Sequence, residues 1–162
     1  MSKKVFVGMS GGVDSSVAAA LLVEQGYDVT GVYMKNWSED LPGMHCPWAE
    51  DIADAKRVAV GLGIDFRVFD FQKEYKQNVV DYMIREYQAG RTPNPDIMCN
   101  QEVKFKIFLE ASLAAGADYI ATGHYARVVH ESSSSAKLLR ARDDNKDQTY
   151  FLYRVTSEAL SK

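Results

Sequence analysis

A doubly wound α/β fold on a parallel sheet is what this chain predicts, and two observations predict it. Short apolar runs rich in β-branched and aromatic residues alternate with longer segments of helical period, from Val5 to Thr122. The chain is 162 residues long and 46% apolar, which suits one domain with a real core. Strands that alternate with helices are joined by crossovers and lie parallel.

The elements follow in order. Val5–Met9 reads as a buried strand. Val13–Gln25 reads as a helix with Val17, Leu21 and Val23 facing inward and Gly26 ending it. Asp28–Met34 is a second strand, and residues 35–47 are a polar loop carrying Pro42, Gly43 and Pro47. A helix is expected over Trp48–Leu62, with Ile52, Ala55, Val58 and Leu62 on one face and Gly61 and Gly63 closing it. Phe66–Phe71 is a third strand, and Lys73–Ala89 is helical with a break near Gln77-Asn78. Pro93 and Pro95 exclude regular helix or central strand over Gly90–Met98. Asn100–Ala115 is helical and Tyr119–Thr122 is a fourth strand. Beyond Gly123 the pattern becomes a hairpin, Ala126–His130 with Lys137–Arg140, joined by a flexible serine-rich loop over Glu131–Ser135. A helix opens at Ser157 with room for about one turn before Lys162, which reads as a fragment of a longer protein.

Charge and cysteines narrow the function. The formal charge of −3 gives no help to a free-standing nucleic-acid binder. Cys46 and Cys99 lack metal-ligand spacing, and two thiols suit a reducing compartment. With no signal peptide and no membrane-length apolar segment in these residues, a cytoplasmic location without membrane attachment is expected.

The most informative stretch is Ser10-Gly11-Gly12-Val13-Asp14-Ser15-Ser16, directly after the first strand. Glycines let backbone amides approach a phosphate, the helix N-terminus adds positive potential, and the serine hydroxyls can donate to phosphate oxygens. No Lys follows, so this is neither Gly-x-x-x-x-Gly-Lys-Ser/Thr nor Gly-x-Gly-x-x-Gly. It resembles the pyrophosphate loop of the ATP pyrophosphatases. Asp14 has two readings: a Mg²⁺ ligand beside the phosphates, or a helix-start residue. A second signal is Gly90–Asn100, where two prolines stiffen a loop that delivers Cys99 to the start of a helix. Helix dipole and Lys104 would favour its thiolate, while Asp96 opposes it; Asp96 can also move a proton. Cys46, in His45-Cys46-Pro47-Trp48, reads as a structural thiol. Thr122-Gly123-His124-Tyr125 follows the fourth strand, where ligands of doubly wound sheets bind. Gly123 would admit an adenosine or ribose, and His124 is either a substrate contact or structural. Lys146–Leu152 is either a binding motif or an exposed turn before a packed segment.

Together with Met34-Lys35-Asn36-Trp37, these motifs closely resemble the tRNA-specific 2-thiouridylase family from Lys4 to about Tyr153. The resemblance implies an N-type ATP pyrophosphatase fold of the adenine-nucleotide α-hydrolase kind, with residues 1–162 as the catalytic domain. It implies that ATP adenylates the C2 oxygen of a wobble uridine and that a cysteine persulfide then supplies sulfur, giving 2-thiouridine, AMP and pyrophosphate. ATP would be held by Gly8, Met9, Ser10, Gly11, Gly12, Val13, Asp14 and Ser15, with Met34 and Gly123 around the adenosine and Mg²⁺ on Asp14. Cys99 would be the nucleophile and Asp96 the acid/base. Asn94, Pro95 and Asp96 would meet the target base, and His124, Lys146, Asp147 and Gln148 would touch tRNA. Partners implied are tRNA and a persulfide sulfur donor protein. One departure stands out: the family carries its persulfide on a later cysteine, and none follows Cys99 here. The family's central and C-terminal tRNA-gripping domains also have no counterpart in these residues. Other readings of the same loop are an amide-forming synthetase, which needs no cysteine, and a nucleotide-binding module without chemistry.

Overall fold

A computed structural model describes residues 2–38 and 46–162, so Pro42, Gly43 and His45 lie outside the described residues. The chain divides into two compact units: Met1–Lys73 with Ala111–Gly123, and Glu74–Glu110 with His124–Lys162.

In the first unit, β1 (Lys4–Gly8), β2 (Asp28–Lys35), β3 (Asp65–Asp70) and β4 (Tyr119–Ala121) form one parallel sheet in the order β3-β2-β1-β4. Side chains alternate across a strand, yet Val5, Phe6, Val7 and Met9 are all buried. Both faces of the central strand are therefore withdrawn from water, as parallel sheets require. On one face Val5, Val7, Met9, Val29 and Tyr33 meet Ala19 of α1 (Val13–Glu24) and Ala55 of α2 (Trp48–Leu62). The other carries Phe6, whose ring lies 6.3 Å from Phe69 and beneath the Arg67 guanidinium at 5.2 Å.

Two details of the helices depart from expectation. In α2 the predicted face holds: Ile52, Val58 and Leu62 pack with Ala55 against the core. Gly61 lies within that helix, and Gly63, at φ +67°, ends it. In α1 the expected face holds for Val23 and fails for Val17 and Leu21. Ser15 and Ala19 are the buried residues, with Leu22 and Val23 packed beside the core, whereas Val17 and Leu21 are each 49% exposed. Small residues let the helix lie close on the sheet, so the side that fits is the one carrying serine and alanine.

The second unit is helical with a hairpin. The chain enters it within α3 (Gln72–Tyr75), continues as π1 (Lys76–Val80) and α4 (Asp81–Gln88), and later forms α5 (Pro95–Met98) and π2 (Cys99–Ile107). It leaves within α6 (Phe108–Ala114). The break expected near Gln77-Asn78 is a widening of the winding to i→i+5 bonds rather than an interruption. The expectation of no helix before Cys99 is corrected. Pro95 occupies the first helical position, where its missing N–H costs nothing, and the Asn94 side chain accepts from the amides of Asp96 and Ile97.

The hairpin pairs β5 (Arg127–Ser132) with β6 (Ser135–Leu139), with a bulge between His130 and Ser132. The serine run is not a five-residue loop: Glu131, Ser132 and Ser135 belong to the strands. Ser132 pairs with Ser135 in the ladder, Glu131 falls in the bulge, and the Ser157 hydroxyl bonds both the N–H (2.9 Å) and the C=O (2.7 Å) of Ala136. Thr156 caps α7 (Ser157–Leu160) by accepting from the Ala159 amide.

Phe6→Ala removes a fully buried ring and is expected to lower unfolding free energy by about 3–5 kcal/mol. Leu21→Gln, on the exposed side of α1, should stay within about 0.5 kcal/mol. Urea denaturation of the two variants checks the assignment of faces; a large loss at Leu21 would contradict it.

Candidate active site

The loop between β1 and α1 is built by its own polar groups. Gly11 sits at φ +84°, a left-handed conformation that glycine adopts without penalty. Its missing side chain also lets the loop lie against α2: a Cβ there would come within 2.8 Å of the Asp51 carbonyl oxygen and 3.2 Å of the Asp54 Cβ. Ser15, which is buried, accepts from the Ser10 amide at 3.2 Å and donates to the Gly12 carbonyl at 3.2 Å. Ser16 donates to the same carbonyl at 2.8 Å, and the Gly12 amide donates to the Ser10 hydroxyl at 3.4 Å. The hydroxyls of Ser15 and Ser16 thus shape the loop rather than extend from it. Among the described residues no side chain at the N-cap closes the first turn of α1, the arrangement in which a helix N-terminus accepts an external anion.

Around this loop, Gly8 and Met9 are buried, with the Met9 side chain in the sheet core and its amide donating to Val32 at 2.8 Å. Met34 is half-buried near the end of β2. Val13 is largely exposed on the first turn, and Asp14 beside it is half-buried. Gly123, just past β4, has a structural reason to be glycine. A Cβ there would meet the Ser15 nitrogen at 2.7 Å and the Asp14 carbonyl carbon at 2.8 Å. The close approach that the residue permits is thus to the first turn of α1. Nearby, Lys35 lies over the Trp48 ring at 4.2 Å and ties the end of β2 to the start of α2, a contact that no sequence pattern announced.

Cys99 lies in the second unit. It is half-buried, and α5 runs directly into the π winding that it begins. The free helix end is therefore at Asn94, one turn earlier, and the expected dipole effect does not govern the thiol. Burial pushes the Cys99 thiol above its ordinary range; Lys104 pulls it back and Asp96 pushes it further up. The expected lowering is corrected accordingly. Tyr75, also half-buried, feels both Cys99 and Asp96, and burial first and then these two charges raise its phenol. Its sequence separation from Cys99 hid that relationship. Asn100 is almost fully buried and donates to the Phe151 carbonyl at 3.1 Å, anchoring the helix beside the thiol. Asn94 and Asp96 are exposed at the helix start, with Pro95 half-buried between them.

His124 is half-buried with its ring 5.8 Å from that of Phe105. Burial, reinforced by Lys104, lowers it to about 4, so the imidazole is neutral at physiological pH. In Lys146-Asp147-Gln148 most polar atoms hold the turn. The Gln148 side chain accepts from the Tyr125 amide at 2.9 Å, and its own amide donates to the Tyr125 carbonyl at 2.8 Å. Asp147 accepts from the Thr149 hydroxyl and amide, the Ala141 amide and Arg140, which holds its carboxyl far below the usual range. Lys146 is exposed, with its ammonium 4.0 Å from the Tyr125 ring centre. Among the described residues, no cluster of three or more His, Cys, Asp or Glu could hold a metal by itself, and no helix is long and apolar enough to cross a membrane.

Gly123→Ala must displace backbone and is expected to cost about 1–3 kcal/mol. Gly61→Ala, with open space around it inside α2, should stabilise by about 0.5–1 kcal/mol. Thermal or chemical denaturation of the pair separates close approach from generic helix propensity. His124 yields a pH prediction. Its folded value is depressed, so between pH 6.5 and about 4 the unfolded chain binds more protons than the folded one. Stability should fall as pH drops through that window, and His124→Gln should flatten that part of the profile. An unchanged slope in the variant would contradict a buried neutral imidazole.

The model of a family described as the tRNA methyl transferase HUP domain matches residues 3–162. The tRNA-specific 2-thiouridylase MnmA of Thiobacillus denitrificans is 57% identical over 161 residues, covering 99% of this chain and 45% of the relative. That of Methylobacillus flagellatus is 55% identical over 162 residues, covering 100% and 45%. The chain thus spans less than half the length of these curated relatives. Among solved structures, the U34-tRNA thiolase NcsA from Methanococcus maripaludis with its 4Fe-4S cluster has a TM-score of 0.52 at 25% identity, over 75% of this chain and 38% of that one. A predicted subunit of tRNA methyltransferase from Methanocaldococcus jannaschii has a TM-score of 0.51 at 23% identity, over 74% and 53%, a likeness of fold. The parallel sheet, the uncapped glycine loop and a match across nearly every residue lead to one conclusion: the chain belongs to the tRNA methyl transferase HUP domain family.

Proposed function

We propose that this chain is the catalytic domain of a tRNA 2-thiouridylase. In this reading ATP adenylates the C2 oxygen of the wobble uridine with release of pyrophosphate. A cysteine persulfide then supplies sulfur, AMP leaves, and 2-thiouridine results. The observation that carries the reading is the 57% identity to a tRNA-specific 2-thiouridylase over 99% of the chain, a span that takes in both the glycine loop and Cys99.

The geometry supports a division of labour. The uncapped first turn of α1 and the Gly11-Gly12 backbone suit the phosphates of ATP, with Ser10, Val13 and Ser15 completing the loop. Gly8 and Met9 contribute by fixing the strand from which the loop departs, and Met34 and Gly123 border the adenosine. Asp14 would hold Mg²⁺ as one carboxylate beside the phosphates, which fits an ion that takes most of its ligands from phosphate and water. That ion would neutralise charge on the departing pyrophosphate. Adenylation turns a poor leaving oxygen into AMP. The persulfide's outer sulfur displaces AMP from C2, and the Cys99 thiolate then forms a disulfide with the carrier's inner sulfur, which releases the 2-thio group and supplies its two electrons, with Asp96 as acid/base. Asn94, Pro95 and Asp96 present an exposed helix start to the target base, and His124 and Lys146 contact tRNA, Asp147 and Gln148 holding the turn on which Lys146 stands. The persulfide arrives from a donor protein, and its carrier cysteine lies outside these residues. Placement in the cytoplasm, where tRNA and thiols are available, accompanies the reading.

The test is mass spectrometry of tRNA nucleosides after incubating protein that carries this domain with ATP, Mg²⁺ and a persulfide donor. Thiolation is expected, and Cys99→Ser should abolish it while leaving ATP binding within about twofold. Thiolation that survives Cys99→Ser would overturn the assigned role; ATP turnover without any thiolated nucleoside would favour an amide-forming synthetase. Asp14→Ala should weaken Mg²⁺-dependent ATP binding more than Mg²⁺-independent AMP binding. Equal losses would remove the metal role.

A further inference from the structure

Lys104 is the other group beside Cys99 whose chemistry remains unused. It is half-buried, and among the described residues it has no carboxylate partner. Its neighbours differ in this respect. Lys106 is paired with Glu102 at 2.8 Å, and Lys76 on π1 with Asp81 at 2.9 Å. A half-buried lysine without a carboxylate partner is uncommon, and the chain as a whole is acidic, with a formal charge of −3.

The winding explains where this ammonium sits. Lys104 is five residues beyond Cys99, and the whole stretch Cys99–Ile107 is π-helical. In an α-helix, at 3.6 residues per turn, positions i and i+5 diverge by about 140°. With i→i+5 bonding the turn is wider, and the two positions come back onto one side. The winding thus delivers one cation to the side of the helix that carries the thiol. The adjacent Phe105 ring lies against His124, which is neutral at physiological pH and brings no competing charge. The remaining charged or titratable groups acting on the thiol are Asp96 from α5, which opposes a thiolate, and Tyr75 from α3, which is neutral in this range.

We propose that Lys104 is the cationic partner of the Cys99 sulfur, placed there by the π winding to hold the anionic thiolate that sulfur transfer requires. The proposal deepens the thiouridylase reading and rests on it for its purpose. Its geometry can be tested without ATP, tRNA or a sulfur donor. The chemistry is proton loss alone: the Cys99 proton goes to solvent, and the sulfur lone pair is held against the ammonium. A buried thiol raised by desolvation needs such a partner more than an exposed one does.

The experiment is alkylation of the chain by a neutral reagent across a pH series, with each cysteine followed by peptide mass spectrometry and Cys46 as the internal control. Below the thiol's midpoint the rate follows the thiolate fraction. Lys104→Met and Lys104→Gln should therefore slow Cys99 by at least about threefold at fixed pH and move its profile to higher pH. Cys46 should not change. Lys104→Arg should restore the profile, and Lys106→Met should leave it as in the wild type, because that ammonium is already paired. The proposal is overturned if both neutral variants react like the wild type, if Lys104→Arg is as slow as Lys104→Met, or if Lys106→Met produces the same loss. A failed nucleoside assay alongside a slowed Lys104→Met would sink the thiouridylase reading and leave the Cys99–Lys104 pairing standing.

Discussion

The close approach of Gly123 to the first turn of α1 is the constraint on which the first unit turns. β1 and β4 are neighbours in the sheet, so the segments leaving their carboxyl ends emerge side by side. One begins α1; the other is Thr122-Gly123. A side chain at Gly123 would drive into backbone at Asp14 and Ser15. With none there, the helix start is pressed against the strand end, and the amides of α1 are held at the carboxyl edge of the sheet. That edge is where doubly wound folds bind ligands, because successive loops converge there. The loop's own hydroxyls then act as internal struts: Ser15 and Ser16 share the Gly12 carbonyl, and the Ser10 amide rests on Ser15. The backbone is preorganised before any anion arrives, which spares the ordering cost at the moment of binding.

The second unit solves a different problem, which is how to place a thiol and several polar groups in a partly dry setting without a free helix end. Its answer is continuous winding from Pro95 onward, with the cap displaced to Asn94. Asn100 is drawn inside and ties its amide to Phe151, which fixes the rotation of the helix around Cys99. The turn over Lys146–Thr149 is stiffened in the same manner, since Asp147 collects several donors and Gln148 clamps Tyr125 from both sides. What stays exposed on that turn is the Lys146 ammonium over its aromatic ring. Polar residues with no apparent purpose in the sequence prove to be the supports of the few that face outward.

Much of this was legible in the residues, and the failures have physical causes. The four strands and the long helix α2 were readable because apolar period and glycine stops agree there. In α1 the period alone misled: Val17 and Leu21 are more hydrophobic than Ser15 and Ala19, but a helix lying close on a sheet selects for size. The winding around Cys99 was hidden because π and α turns share the same composition, and only the hydrogen-bond ladder distinguishes them. Pro93 and Pro95 read as helix breakers, which holds for a helix interior and fails at its first position. The serine run read as slack because serine is common in loops, whereas pairing with a neighbouring strand depends on a partner that local composition does not reveal. In the glycine loop the left-handed Gly11 was legible, whereas the Ser15 and Ser16 hydroxyls, read as donors to phosphate, are turned onto the Gly12 carbonyl.

The thiol shows why motif and environment must be argued separately. A cysteine after a proline-stiffened loop suggests an activated nucleophile at a helix start, but the helix has already begun at Pro95 when it reaches Cys99. Its environment opposes activation: burial and Asp96 both favour the protonated form, and only Lys104 favours the thiolate. In the proposed thiouridylase reading, these opposing influences suit a sulfur step that must not begin early. A thiol that was fully ionised in the resting protein would be open to oxidation or stray alkylation. One kept mainly protonated, with a cation already placed on its side of the helix, needs only a modest change nearby to ionise.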